Sequence, residues 1–223
     1  MKHLVFSGLL SYILGCIHPA YLLGRKYRKI DIRENGSGNS GASNAIMVIG
    51  WKLGFLTLVF DVFKGYFAVY AAKRFLRTVI AMYVNAFAVI MGHIFPVQMK
   101  FRGGKGVAAL VGASLGFGFP AFAAVLGALV AVTLITDYIA FGACAAAAAF
   151  ALRTAVLYGY TVMLWGTLII LFVMILRHRS NFQRIFAGGN GEVTIRYFLK
   201  QRGIKPDDLD DVNRFKEYME DKH

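Results

Sequence analysis

Apolar runs at residues 4–24, 52–72, 78–95, 107–119, 121–135, 139–152 and 156–176 alternate with short polar stretches. A helix rising about 1.5 Å per residue crosses roughly 30 Å of hydrocarbon in about 20 residues, so runs of this kind predict transmembrane helices. The pattern predicts an all-α integral membrane protein with about seven spans. The fourth, fifth and sixth runs are short, and Phe119-Pro120 and Thr136-Asp137 alone separate them, so two of these runs either merge or re-enter. The first run passes Leu14-Gly15-Cys16, a lipoprotein-like pattern, but it continues to Gly24 and is read as a span. Two units are expected: a membrane domain over 1–192 and a charged tail over 193–223, the latter an amphipathic helix or a mobile segment.

Composition agrees, with 57% hydrophobic and only 17% charged residues. The formal net charge of +13 is no sign of a nucleic-acid partner, because the Lys and Arg residues cluster in short loops at the ends of the apolar runs. Residues 25–50, 96–106 and 177–184 carry eleven Lys/Arg on one side of the predicted bundle, against five on the other. That asymmetry predicts that these loops face the cytoplasm together with the C-terminal tail. Lys73-Arg74-Phe75-Leu76-Arg77 is a misfit, being basic on the wrong side. Cys16 and Cys144 both lie in apolar runs, which excludes a disulfide framework and a four-thiolate metal site.

Three polar islands interrupt the hydrocarbon, all on the predicted cytoplasmic face. The first, residues 31–44, holds three Gly, three Ser and three Asn. Gly36 and Gly38 allow a backbone nest for an anion, while Ser37, Ser40 and Ser43 offer hydroxyls and Asn39 and Asn44 offer amides. In the second island Gly103-Gly104-Lys105-Gly106 opens directly into an apolar helix, a start at which free N–H groups and a lysine suit phosphate. The third places His178 between Arg177 and Arg179, followed by Asn181 and Arg184, where arginines pair phosphates and a histidine exchanges a proton near neutral pH. The plain alternatives are a polar turn for the first island and a positive membrane anchor for the second, both the lesser reading, while for the third an anchor weighs as much as a site.

Several chemistries are disfavoured. Gly36-Ser37-Gly38-Asn39-Ser40-Gly41 fits the dinucleotide fingerprint formally but lacks the strand that must precede it. Met99 and Gly106 stand where a Walker A loop needs Gly and Ser or Thr. The five histidines show no metal-ligand spacing, so no metal is expected, and none has an Asp five positions later for His-Asp acyltransfer. Within a span, Asp61 and Lys64 lie three residues apart on one helix face, where they form a structural charge pair under the islands. His93 is read as a packing histidine, or else as one that orients the second island.

Together, Ser11 to Gly15, Asp31-Ile32-Arg33 through Asn44, Asp61-Val62-Phe63-Lys64-Gly65, Gly92-His93-Ile94-Phe95-Pro96-Val97, Phe101 to Ala108 and Arg177-His178-Arg179 with Asn181 resemble the motifs of the membrane acyl-phosphate:glycerol-3-phosphate acyltransferases (PlsY), in that family's order. The resemblance implies a seven-span enzyme of a bacterial inner membrane. Its substrates would be acyl phosphate and glycerol 3-phosphate, its product lysophosphatidic acid, and it would need no cofactor. Ser37, Lys105, His178 and Asn181 would be catalytic; Arg33, Gly36, Gly38, Asn39, Ser43, Asn44, Gly103, Gly104 and Gly106 would bind the phosphates and the reacting carbonyl. The chain departs from the pattern at Met47, where the family has an Arg, and at Asp137, Ala140 and Ala143, where it has an Arg and two Ser. Those departures leave two alternatives: an acyltransferase with another acceptor, or a lipid-phosphate binding or transport protein without catalysis.

Overall fold

The computed structural model describes residues 1–159 and 161–187, and the expected tail at 193–223 lies outside the described residues. The described residues form helices α1 (Lys2–Gly15), α2 (Pro19–Leu23), α3 (Ala42–Ile49), α4 (Trp51–Phe75), α5 (Val79–Ile94), α6 (Val107–Phe117), α7 (Phe119–Thr136), α8 (Ile139–Tyr158), α9 (Val162–Arg177) and α10 (Arg179–Phe186). Helices suit these segments because hydrocarbon offers no partner for a free peptide group, whereas a helix satisfies its own backbone. Five helical stretches are long and apolar enough to cross a membrane. A sixth arises if α9 and α10, bent by 47° at His178, count as one span, and α6 is a shorter apolar helix. Each of the seven apolar runs has thus become helix, with unequal length.

The first run is not one continuous helix. It breaks after Gly15, restarts at Pro19 and ends in a π-helical turn over Gly24–Arg28. Pro19 has no N–H and tolerates only a helix's first turn, so the ladder is interrupted there. Buried carbonyls freed by such a break need donors, and side chains from other helices reach them. Lys64 Nζ donates to the carbonyls of Gly15 (3.1 Å) and Ile17 (2.7 Å), and the Gln98 amide donates to that of Cys16.

Small residues bring the helices together, as expected where lipid removes any hydrophobic drive between them. Gly65 of α4 lies against Ala109 of α6, and Gly112 of α6 against Val62 of α4. The main core joins Val69, Tyr83, Ile90, Leu110, Ala147, Phe150, Ile170 and Met174. A separate small cluster of Ala20, Ile32, Ala45, Val48 and Ile49 lies beneath the first island, with Met47 packed against it. Large apolar side chains such as Phe60, Phe63, Phe67 and Phe172 stay exposed, as a lipid-facing surface requires.

Candidate functional site

The first island is loop only as far as Gly41; its last residues, Ala42 to Asn44, begin α3. Asn44 is buried and its carboxamide organises the loop. Its two NH2 hydrogens are shared among the carbonyls of Ile32 (2.9 Å), Asn35 (3.0 Å) and Asn39 (2.8 Å), while its oxygen accepts the Ser37 N–H (2.8 Å). The Asn44 carboxamide, expected at a ligand, is engaged with the backbone of its own loop. Gly36 has φ of +59°, and a Cβ there would strike the Asn44 amide. The backbone-nest reading changes as well: the Ser37 N–H is held by Asn44 and the Gly38 N–H by the Asn35 carbonyl (3.1 Å). Ser37 is exposed on this loop, as is Glu34. Asn39 Oδ1 is buried without a hydrogen-bond partner, so it is a vacant acceptor beside Ser37 in the same loop.

Arg33, also expected at a ligand, is held by three neighbours. Its guanidinium is engaged with Asp31 (Nη2 to Oδ2 2.7 Å, Nε to Oδ1 3.0 Å), with the Met99 carbonyl (3.0 Å) and with the face of Tyr21. The Arg33 hydrogen bonds hold the Asp31 carboxyl below the usual carboxylate range, and Asp31 in return raises Arg33. Arg33 clasps the first loop to the second.

In the second island, Gly103 N–H donates to the Ile94 carbonyl (3.3 Å) and Gly104 N–H to that of His93 (3.0 Å). These two amides, expected at an anion, are directed to backbone carbonyls. At Gly104 space is also at a premium, because a Cβ there would strike the Nε2 edge of the His93 ring. Gly106, at φ +89°, caps α6, whose first-turn N–H groups have no carbonyl within the helix. Lys105 stands between these glycines and donates to Asn181 Oδ1 of the third island. Arg177 donates to the Gly103 carbonyl (3.0 Å), so two links bind the second loop to the third.

His178 and Asn181 are both buried at the bend between α9 and α10. His178 Nδ1 lies 2.8 Å from the Met174 carbonyl, which can only accept, so Nδ1 carries the hydrogen and a neutral ring keeps Nε2 as acceptor. Arg179 and Ser180 are exposed. Ser43 is half-buried in the first turn of α3. The residues where the resemblance expects charge and hydroxyls are used otherwise: Met47 packs under the first loop, Ala140 and Ala143 are buried, and Asp137 closes the α7–α8 turn at φ +65°.

Beneath the loops runs a buried polar chain, only part of which sequence reasoning found. The expected pair is present, Lys64 Nζ to Asp61 Oδ1 at 2.8 Å. His93 Nδ1 lies 3.5 Å from the same carboxylate oxygen, the His93 and His18 rings are 4.8 Å apart, and His18 Nδ1 meets Ser40 Oγ at 3.1 Å. His18 was missed, although a histidine just before a proline inside an apolar run was a visible signal. The chain spans from mid-bundle to the first loop, and His93 touches the second loop as well.

Comparison with known proteins gives one consistent answer. The model of the family described as Glycerol-3-phosphate acyltransferase matches residues 5–188. A glycerol-3-phosphate acyltransferase of Thermoanaerobacter pseudethanolicus is 38% identical over 184 residues, covering 82% of this chain and 92% of that protein. One of Staphylococcus carnosus is 34% identical over 194 residues, covering 83% and 95%. Among solved structures, the glycerol 3-phosphate form of PlsY, an integral membrane glycerol 3-phosphate acyltransferase, superposes with a TM-score of 0.78 at 28% identity, covering 88% of this chain and 98% of that one. Its lysophosphatidic acid form gives a TM-score of 0.72.

Proposed function

Because the chain belongs to the glycerol-3-phosphate acyltransferase family, we propose that it draws its acyl group from an acyl phosphate and delivers it to the 1-hydroxyl of glycerol 3-phosphate. The products are lysophosphatidic acid and inorganic phosphate. The observation that carries this reading is the junction of three polar loops at one end of a greasy bundle, the first tied to the second through Arg33 to the Met99 carbonyl and the second to the third through Lys105 to Asn181 and Arg177 to Gly103. Both substrates carry phosphate and one a lipid tail, so a basic site at a membrane face fits them.

The acyl phosphate is already activated, and positioning with charge neutralisation supplies most of what the reaction needs. The acceptor hydroxyl oxygen bonds to the acyl carbon, the bond from that carbon to the phosphate oxygen breaks, and the hydroxyl proton passes to the departing phosphate. Lys105 neutralises phosphate, and Ser37, with Asn39 and Ser43, faces the donor phosphate and the carbonyl oxygen. His178 Nε2 accepts from the acceptor hydroxyl and aims it, while Asn181 fixes the Lys105 ammonium. Residues 1–192 form the catalytic unit. The placement is a bacterial inner membrane with the loops in the cytoplasm, supported by the eleven Lys/Arg against five.

Purified protein in detergent, given palmitoyl phosphate and glycerol 3-phosphate, is expected to release lysophosphatidic acid, and Ser37→Ala or Lys105→Ala to slow this by on the order of 100-fold. No product above an inactive control across several acceptors overturns the reading. Thermal stabilisation by these ligands without turnover would mark a lipid-phosphate binding protein in its place.

A further inference from the structure

The end of the bundle opposite the three loops holds a basic cluster that the reaction does not use. At the C-terminal end of α4, Tyr70, Lys73, Arg74 and Arg77 line a hollow of about 440 Å³. All four side chains are exposed. Lys73 and Arg74 lie in the last turn of α4, where a helix dipole favours cations. The dipole explains charge at a helix end, but not why Arg77, beyond the helix and at φ +55°, joins the other two around one hollow. Among the described residues no carboxylate forms an ion pair with any of the three. They also offend the charge asymmetry that orients the rest of the chain, since basic loops concentrate on the opposite face. Their presence on this face has no explanation in topology.

The surface leading to the hollow is apolar and continuous. Phe63, Phe67, Tyr70 and Arg74 are spaced by four, three and four residues, so they form one exposed stripe along α4. The Phe63 and Phe67 rings stack at 5.9 Å, making a flat apolar track that points from mid-bundle to the cations. A ligand matching both parts has an anionic head and long hydrocarbon tails. We propose that this hollow is a binding site for an anionic glycerophospholipid of the leaflet opposite the catalytic loops, with its phosphate on Lys73, Arg74 and Arg77 and its acyl chains along Phe63 and Phe67. Three cations without a carboxylate partner favour a net-negative head over a zwitterionic one, whose own ammonium they repel. The aromatic track distinguishes a lipid from a free phosphate, which has nothing to lay on it.

The test measures lipid retained by the full-length protein in neutral detergent, by native mass spectrometry, after equal loading with phosphatidylglycerol or phosphatidylcholine. Wild-type protein is expected to retain phosphatidylglycerol with a preference on the order of 100-fold, given three basic residues near one headgroup. The K73Q/R74Q/R77Q variant is expected to lose that preference, while acyl transfer stays within about two-fold because the two ends of the bundle are far apart. F63A/F67A is expected to weaken phosphatidylglycerol retention without altering protection by inorganic phosphate. Absence of a preference in the wild type, persistence of it in the triple glutamine variant, or phosphatidylglycerol retention by F63A/F67A equal to that of the wild type would each overturn the assignment.

Discussion

The loop over residues 30–41 is held from within, by one carboxamide that gathers three carbonyls and one amide, whereas the loop over 100–106 is held from below, by the carbonyl and ring of His93. Both are glycine-rich and both border the proposed site. In the first the glycine at 36 lets a side chain approach the backbone; in the second the glycine at 104 lets the backbone settle on a side chain. Glycine content therefore does not distinguish a ligand nest from a packing device, since in both loops several amides turn toward the protein. The difference lies in what a substitution meets: a lost set of hydrogen bonds in one loop, a collision in the other.

The sharpest test of the second loop is Gly104→Ala. Its Cβ would collide with the His93 ring, and displacing a reacting loop by about 1 Å costs on the order of 100-fold in rate. A steady-state assay of kcat/KM is expected to show that loss without unfolding, and His93→Ala in the same chain is expected to restore part of it. If the second substitution restores nothing, the loop is not held by His93 in the manner described. For the first loop, Asn44→Ala is expected to lower stability by about 3 kcal/mol, because several buried backbone groups lose their partner. Asn44→Asp keeps the shape but cannot donate, so thermal unfolding is expected to find it no better than alanine. An aspartate that matched the wild type would break the contrast between the loops.

The smallest effect concerns the clasp between them. Arg33 depresses the Asp31 carboxyl, so its folded value lies below its unfolded one; the resulting stability is present above about pH 4 and fades as pH falls further. The melting temperature of wild type is expected to exceed that of Arg33→Gln at pH 7, with the gap closing toward pH 3. A gap independent of pH would show that Arg33 acts through Met99 and Tyr21 alone.

The seven apolar runs, the three islands and the Asp61–Lys64 pair were all legible in the sequence, because hydrophobic period and local spacing announce them. The spent amides of Ser37 and Gly104 were not legible. Their partners lie seven and eleven residues away, and nothing local marks a carbonyl as accepting. His18 escaped for a related reason, since its meaning rests on Ser40 and on His93, brought near by the first loop and by α5. Pro19 was a signal not weighed, and it is the proline that breaks the first span and leaves carbonyls to be met by Lys64. Met47 is plain in sequence as a lost charge, but only its apolar surroundings show that the position belongs to the cluster under the first loop.

The pairing of Lys64 with a residue on its own helix bears on how the chain enters the bilayer. Helices insert largely in the order of synthesis, and a lone charge at a helix centre costs about 3 kcal/mol on insertion scales. Asp61 and Lys64 can meet across three residues of α4 before α5 exists, so the two charges enter as a self-neutralising couple. The Gly15 and Ile17 carbonyls, in a segment made earlier, then receive the lysine as the helices assemble. The same ammonium thus serves twice in succession, first making its own helix insertable and then closing the gap in its neighbour.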